Sequence, residues 1–282
     1  MEKIRAKKAL GQNFLVDGNV IANIIRAANV GSDDAVLEVG PGRGALTAHL
    51  AEKAAQVVAV EWDRELVPLL SKAMAAKDSV EVVHGDILRV DLPRILAPVW
   101  PGRWKVVANL PYNISSQVLF TFIENRALFS ELILMLQKEV GERLLAAPSC
   151  KEYGVLTVLC RLVFDIEKVF LVKPASFRPI PKVDSIVLRF RVLPANRLDV
   201  GDEKLFRTIV KASFAQRRKT LWNCLKSIDH LSAVVDIDQL FEQSGIDRGR
   251  RGETLSLEEF AMLTNTAVRL RSGAGGDSSG AA

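Results

Sequence analysis

The sequence predicts an α/β fold in which a mostly parallel β-sheet is followed by a small all-helical domain. Three observations support this prediction. Short apolar runs alternate with amphipathic segments of helical period between residues 19 and 191. A glycine-rich turn, Gly40–Gly44, follows the first buried run. From residue 202 to about residue 270 the pattern is helical and contains no strand signal.

Composition places the chain among ordinary globular proteins. It has 282 residues, of which 49% are hydrophobic and 25% are charged, enough for a large core. A net charge of +5 mildly favours an anionic partner. The three cysteines (Cys150, Cys160 and Cys224) and the three histidines lack metal-site spacing, and no apolar run is long enough for a membrane span. We therefore expect a cytoplasmic protein with neither metal nor membrane partner.

The first sixteen residues form a basic arm without the apolar segment of a secretory signal. Lys3, Arg5, Lys7 and Lys8 are suited to RNA phosphates, although a solvated terminus would look the same. The arm ends in Gly11-Gln12-Asn13-Phe14-Leu15, and its two apolar residues indicate that it docks onto the protein. An amphipathic helix is predicted next, over residues 19–30.

Acidic side chains and glycines follow successive predicted strands, which span residues 35–39, 56–60 and 80–86. Gly40, Gly42 and Gly44 are spaced G-x-G-x-G, unlike the G-x-G-x-x-G of dinucleotide enzymes, and we expect a helical run at residues 45–53 to follow them. Glu61 lies where an acid accepts from ribose hydroxyls, and Asp86 is suited to an adenine amine. Glu61 would also suit a plain helix N-terminus.

The residues Asn109-Leu110-Pro111-Tyr112 follow a fourth predicted strand, 104–108, and precede a helix expected near Gln117 with a serine cap. The exocyclic amine of a base is a poor nucleophile because its lone pair is delocalised. Acceptors such as the Asn109 amide oxygen and the Leu110 carbonyl favour its pyramidal form. Pro111 fixes the turn, and Tyr112 offers an aromatic face. A strand-ending turn with a packed tyrosine is the alternative.

In the next part of the chain, the apolar pattern predicts a strand at 131–136, helices at 140–145 and 155–164, and strands at 169–172 and 185–191. A proline-rich loop, 175–184, carries Phe177, which is either a second exposed aromatic face for a base or a hydrophobic plug. Residues 193–201 read as a linker. We therefore predict a Rossmann-like domain over residues 1–195, a helical RNA-binding domain over 202–271, and a disordered tail over 272–282.

Basic residues recur in the helical domain. Arg217, Arg218 and Lys219 are adjacent, and we interpret them as an RNA-contacting cluster rather than a solvated face. Further along, Ser256 and Glu259 have the spacing of a helix capping box.

Several motifs, in the same order along the chain, resemble those of the small-subunit (16S) rRNA adenine dimethyltransferase family. They are 11–15 (GQNFL), 38–44 (EVGPGRG), 109–115 (NLPYNIS), 136–140 (LQKEV), 177–185 (FRPIPKVDS) and 216–220 (QRRKT). The resemblance implies a class I S-adenosylmethionine-dependent methyltransferase with a seven-stranded, mostly parallel sheet. It also implies N6,N6-dimethylation of two adjacent adenosines in a hairpin near the 3′ end of small-subunit rRNA, with the immature small ribosomal subunit as partner and a monomeric enzyme.

Site residues follow from the same resemblance, position by position. Cofactor contacts fall on Asn13, Leu15, Gly40, Gly42, Glu61, Asp86 and Asn109. The catalytic set comprises Asn109, Leu110, Pro111, Tyr112 and Phe177, in which the two aromatics sandwich the target adenine.

Other functions stay open. A macrolide-resistance methyltransferase, which modifies large-subunit rRNA, has nearly the same catalytic motif, although 181–185 (PKVDS) favours the small-subunit enzyme. An N6-adenine DNA methyltransferase more often has Asp-Pro-Pro-Tyr. A non-catalytic ribosome-assembly factor with this fold is another alternative. The intact cofactor-binding residues and Asn109–Tyr112 argue against it, because such a factor would not need them. The glycine spacing makes a nicotinamide dehydrogenase the weakest alternative.

Overall fold

A computed structural model of the chain describes residues 6–7, 10–233 and 235–273. Lys3, Arg5 and Lys8, with their predicted phosphate contacts, lie outside the described residues, and so does the predicted tail from residue 274 onward.

Strands and helices alternate through most of the chain. The strands are β1 (Phe14–Leu15), β2 (Ala35–Val39), β3 (Gln56–Glu61), β4 (Val80–His84), β5 (Trp104–Asn109), β6 (Phe129–Gln137), β7 (Phe164–Val172), β8 (Phe177–Arg178) and β9 (Ser185–Val192). The helices are α1 (Gly18–Ala28), α2 (Thr47–Leu50), α3 (Leu66–Met74), α4 (Leu92–Leu96), α5 (Ser115–Glu124), α6 (Lys138–Leu145), α7 (Val155–Val163), α8 (Glu203–Ala215), α9 (Leu221–Lys226), α10 (Asp229–Ser232), α11 (Ile237–Ser244) and α12 (Leu257–Gly273).

Seven strands form one sheet in the order β4-β3-β2-β5-β6-β9-β7. The first five of these are parallel, whereas β9 runs antiparallel to both β6 and β7. All five residues of β2 are buried, as expected for a central parallel strand covered on both faces. The predicted seven-stranded, mostly parallel sheet is therefore confirmed.

The order of the strands creates a cleft at one edge of the sheet. The chain builds outward from β2 through β3 to β4, then crosses back to place β5 on the other side of β2. At such a reversal the connections leave the sheet in opposite directions, so a cleft opens beyond the carboxyl ends of the strands. The predicted functional residues after β2, β3, β4 and β5 all lie at this edge.

Three local predictions need correction. The helical run expected at 45–53 reduces to the single turn of α2, flanked by irregular turns. No side chain caps α5, because the helix already begins at Ser115, whose hydroxyl donates instead to the Tyr112 carbonyl at 3.4 Å. The C-terminal helix extends to Gly273, so residues 272 and 273 are helical rather than part of a tail.

Contacts divide the chain into two compact units, residues 1–142 with 164–193 and residues 143–163 with 194 onward. The sequence pattern had placed residues 143–163 in the first domain. Within the second unit, α7 packs on α8 and α12, and Tyr153 donates to the Leu255 carbonyl at 2.9 Å. The Tyr153–Leu255 contact joins residues 102 positions apart, which no local pattern reveals.

In the second unit, side-chain caps define the helices. Asp202 accepts from the Leu205 N–H at the start of α8. The capping box at α12 is confirmed, since the Ser256 N–H donates to Glu259 at 2.8 Å and the Glu259 N–H donates to the Ser256 hydroxyl at 3.2 Å. Glu259 also forms an ion pair with Arg250, which ties α12 to the loop before it.

Candidate active site

A cavity of about 250 Å³ lies at the carboxyl ends of β2, β3, β4 and β5 in the first unit. Its walls carry residues from the arm, the glycine-rich turn and the four strand ends. All seven predicted cofactor residues line it: Asn13, Leu15, Gly40, Gly42, Glu61, Asp86 and Asn109. The catalytic motif Asn109–Tyr112 lines it as well. The sequence had placed these groups on separate elements, and the sheet brings them together.

The glycine-rich turn packs closely against the arm. Gly40, Gly42 and Gly44 have φ values of +66°, +59° and +80°, which side chains rarely adopt. A Cβ atom on Gly42 would lie 3.2 Å from the ring of Phe14. Glycine at position 42 therefore permits both the backbone conformation and the close approach of the arm.

Glu61 is buried at the end of β3 and joins two turns. One carboxylate oxygen accepts from the Gly42 N–H at 3.0 Å, and the other accepts from the Asp63 N–H at 2.8 Å. Burial raises the pKa of Glu61, while these hydrogen bonds oppose the rise. The Trp62 N–H also lowers the pKa of Glu61, and a carboxylate with about four acceptor positions can still accept from a ligand hydroxyl.

Asp86 follows β4 and is held in a similar way. Its Oδ1 accepts from the Leu88 N–H at 3.0 Å. Its side chain keeps 25% of its surface exposed, within the cavity wall. The group is thus oriented by its own loop and remains accessible to a hydrogen-bond donor.

The arm is fixed over the cavity by Asp63, a side chain that the sequence did not single out. This carboxylate accepts from Lys7 at 2.7 Å and from Gln12 at 2.8 Å. Lys7 also lies 3.0 Å from Glu65. The expectation that Lys7 is free to meet RNA phosphates is therefore wrong in this structure, because two carboxylates already neutralise it.

Asn109 and Tyr112 are held by partners that are distant in sequence. The Asn109 amide nitrogen donates to the Asn13 carbonyl at 3.4 Å, so the amide oxygen is not needed for that contact. The Tyr112 hydroxyl and the Ser185 hydroxyl are 2.6 Å apart. Burial raises the pKa of Tyr112, so the phenol is neutral at physiological pH.

Of the two roles that the sequence left open for Phe177, the structure fits the hydrophobic plug and not the exposed aromatic face. Its side chain is 0% exposed and packs in the core with Leu15 and residues of α1. The cause is the arm, because β1 pairs with β8 and places Leu15 opposite Phe177. In this structure the ring is covered and is not open to a base.

Glu38 was missed at the sequence level. It is the fourth residue of β2, is only 2% exposed and lines the cavity. The available signal was an acid inside the apolar run Ala35–Val39. Burying an ionisable side chain is costly, so an acid in a buried strand indicates a specific role.

The predicted RNA cluster lies in the second unit, in the turn between α8 and α9. Arg217, Arg218 and Lys219 are all exposed, and Arg217 donates to the Lys151 carbonyl at 3.0 Å. By contrast, Arg248 pairs with Asp238 at 3.0 Å, and Arg250 pairs with Glu259. The turn thus presents a compact group of positive charges, whereas two of the later arginines are engaged in internal ion pairs.

Neither a metal cluster nor a membrane-spanning helix occurs in the described part of the chain. Between residues 6 and 273, apart from the three positions that are not described, no three His, Cys, Asp or Glu side chains are grouped to hold a metal. Within the same ranges, no helix has the length and hydropathy needed to cross a bilayer. All three cysteines are free thiols.

Comparison with known proteins connects this geometry to a family. The family model described as "Ribosomal RNA adenine dimethylase" matches residues 3–267. Proteins named "Ribosomal RNA small subunit methyltransferase A" are similar along their length. The one from Geobacter metallireducens is 54% identical over 95% of this chain and 98% of its own, and the one from Geobacter sulfurreducens is 57% identical over 93% and 95%.

Two solved structures are similar to both units of the chain. A dimethyladenosine transferase from Plasmodium falciparum has a TM-score of 0.76 and 27% identity, over 91% of this chain and 98% of its own. The 23S rRNA methyltransferase ErmE has a TM-score of 0.65 and 27% identity, over 91% and 100%.

Proposed function

The chain belongs to the ribosomal RNA adenine dimethylase family, and we propose that it dimethylates N6 of two adjacent adenosines in a small-subunit rRNA hairpin. The methyl donor is S-adenosylmethionine. One observation carries the proposal: Asn109–Tyr112 opens onto the same cavity as Glu61 and Asp86. The proposed adenine-binding motif and the proposed nucleoside-binding residues therefore line one cavity, as transfer between two nucleosides requires.

The cavity has groups that fit the donor. Glu61 offers lone pairs suited to ribose hydroxyls, and Asp86 offers a partly exposed carboxylate suited to the adenine amine. Glu38 also lies in the cavity wall, where its buried carboxyl group faces the buried Thr47 hydroxyl. S-adenosylmethionine supplies an electrophilic methyl group on a positively charged sulfur.

The catalytic motif acts on the target adenine. The Asn109 oxygen and the Leu110 carbonyl accept from the two N6 hydrogens, which favours the pyramidal form of the amine. Asn13 orients this amide by accepting from its nitrogen. Tyr112, whose hydroxyl is fixed by Ser185, presents its ring to a base drawn out of its stack. With the donor bound, the N6 lone pair would form a bond to its methyl carbon as the bond from that carbon to sulfur breaks, and the N6 proton would then pass to solvent.

Selectivity for the RNA must come from outside the cavity, because a single extruded base carries little sequence information. The exposed cluster Arg217–Lys219 supports backbone contact with a hairpin. We also propose that the substrate is the immature small subunit and that the enzyme acts as a monomer in the cytoplasm. The three free thiols support a reducing compartment.

A large-subunit target is the second candidate, because ErmE shares the fold over most of both chains. The curated relatives of higher identity are named for the small subunit and favour it.

The test incubates undermethylated small and large subunits separately with labelled donor and maps the modified nucleotides. We expect N6,N6-dimethyladenosine at two neighbouring positions of small-subunit rRNA. Label confined to large-subunit rRNA would assign the chain to the second candidate. Donor binding with no transfer to either subunit would support a non-catalytic factor.

A further inference from the structure

The loop between β8 and β9, residues 179–184, carries two exposed apolar side chains. Ile180 is 60% exposed, the highest value for a large hydrophobic residue in the described ranges, and Val183 is 43% exposed. A single exposed apolar residue on a protein surface needs no explanation. Two of them on one short loop, beside the site proposed for an RNA base, indicate a contact that forms when the RNA binds.

Both ends of this loop border the part of the cavity wall proposed for the target base. Arg178, directly before the loop, pairs with Phe14 of the cavity wall. Ser185, directly after the loop, lies with its hydroxyl 2.6 Å from that of Tyr112. Ile180 does not itself line the cavity, but it is only two residues beyond Arg178, a span of about 7 Å at most. It therefore stands outside the cavity and close to its rim.

The backbone of the loop is restricted on both sides of Ile180. Pro179 and Pro181 flank it, and their rings fix their own φ angles. A residue that precedes a proline is itself confined to extended conformations, so Ile180 has little backbone freedom. At the end of the loop, Asp184 forms an ion pair with Lys173 at 3.0 Å. Little conformational entropy is therefore lost when the Ile180 side chain inserts into a partner.

The position and chemistry of the loop favour RNA as the partner. Lys182 lies between the two apolar residues in sequence, is exposed, and is suited to a phosphate. The substrate has to approach this rim, because its base enters the cavity beside it. A base that leaves its stack opens a gap between its neighbours. Apolar side chains, isoleucine among them, are inserted at such steps by proteins that unstack nucleic acids.

We propose that Ile180 is a wedge that inserts against the nucleotide next to the target adenine and fills the place of the extruded base. This inference rests on the proposed function, since it takes an adenosine of structured rRNA as the substrate. Ile180 is a positioning residue, because it touches the neighbouring base and not the reacting atoms. It stabilises the extruded state of the target and takes no part in donor binding. Since the two target adenosines are adjacent, each is the stacking neighbour of the other.

The test compares single-turnover methyl transfer to one target adenosine in two undermethylated small-subunit substrates. The adjacent adenosine is intact in the first substrate and is an abasic site in the second, introduced with a synthetic 3′ segment of the rRNA. At saturating donor and subunit, Ile180→Ala should slow transfer about tenfold on the intact substrate. On the abasic substrate it should be within about twofold of the unmodified protein, because the neighbouring base that the wedge contacts is gone.

Three further variants sharpen the comparison. Ile180→Leu keeps an apolar side chain of the same volume and should retain most of the transfer. Met262→Ala removes a side chain that is 50% exposed on α12, in the second unit, and should behave like the unmodified protein. Val183→Ala should slow transfer less than Ile180→Ala, because Val183 is smaller and less exposed. The reverse order would overturn the assignment to Ile180.

Donor affinity, measured by calorimetry, should be the same for Ile180→Ala and the unmodified protein. A fall in donor affinity as large as the fall in transfer would contradict the wedge. Equal slowing on the intact and abasic substrates would show that Ile180 acts through packing of its loop, and unchanged transfer on the intact substrate would show that it has no role. If the unmodified protein methylates neither substrate, the proposed function itself fails, which is distinct from the failure of Ile180 alone.

Discussion

The two sides of the cavity differ in how their functional groups are held. On the donor side, Glu61 and Asp86 accept from backbone N–H groups of nearby turns. On the acceptor side, Asn109 and Tyr112 depend on Asn13 and Ser185, which are 96 and 73 residues away in sequence. The donor groups are held by backbone N–H groups at most 19 residues away along the chain, whereas the acceptor groups need partners more than 70 residues away. Mutations should therefore separate donor affinity from turnover.

Phe177→Ala should give the largest effect on stability. It tests whether Phe177 belongs to the core or to the acceptor side of the cavity. The ring is fully buried, so its removal should lower the free energy of unfolding by about 3–5 kcal/mol. Denaturant unfolding measures this loss. Ile180→Ala in the same loop is the matched control, because Ile180 is 60% exposed and should change stability little. A stable Phe177→Ala protein that has lost turnover would return Phe177 to the base-stacking role.

Asn109→Ala should have the largest effect on turnover. Removing one preorganised hydrogen-bonding group from a reacting centre costs about 10²–10³ in rate constant. Donor affinity should fall by less, because Glu61 and Asp86 remain in place. Single-turnover methylation together with calorimetry measures both quantities. Asn19→Ala, an exposed amide on α1 that does not line the cavity, is the control and should keep most of the activity.

Glu61→Ala should show the opposite pattern. Donor affinity should fall by about 1–3 kcal/mol, because a ribose acceptor is lost and the N–H groups of Gly42 and Asp63 lose their partner. Turnover at saturating donor should change less than affinity. Equal losses of both quantities would mean that the two sides of the cavity are not separable. Unchanged donor affinity would mean that Glu61 serves only to accept from the backbone N–H groups of Gly42 and Asp63.

Arg217→Ala combined with Arg218→Ala should leave both sides of the cavity intact. RNA affinity should fall, and its dependence on salt should weaken by about 0.7–0.9 in logarithmic slope for each RNA phosphate that the protein no longer neutralises. Filter binding at several salt concentrations measures this. Arg248→Ala is the control, because that guanidinium already pairs with Asp238. An unchanged slope in the double variant would remove the cluster from the RNA interface.

The sequence predicted the donor side better than the acceptor side for a physical reason. The strand ends at Gly40, Glu61 and Asp86 follow from local apolar runs and the turns after them, and the sheet order then fixes their neighbours. The burial of Phe177 could not be predicted from local pattern, because it depends on pairing with a strand about 160 residues earlier in the chain. Residues 143–163 likewise pack with helices that come much later in the chain.

Glu38 shows a further limit of the sequence. The apolar pattern of β2 predicted the strand, but it did not explain an acid inside it. Only the assembled cavity shows that this carboxyl group is buried in the wall, where it faces the buried Thr47 hydroxyl.

Tyr112→Ala gives the most direct test of the central claim, that donor and base bind on separate sides of one cavity. Donor affinity by calorimetry and methyl transfer to small-subunit rRNA are measured on one preparation. We expect donor affinity to stay unchanged while transfer loses about 1–3 kcal/mol of base stacking, and Tyr112→Phe to retain most of the transfer. If donor affinity falls as much as transfer, the donor and acceptor sides are not separate and the account is wrong.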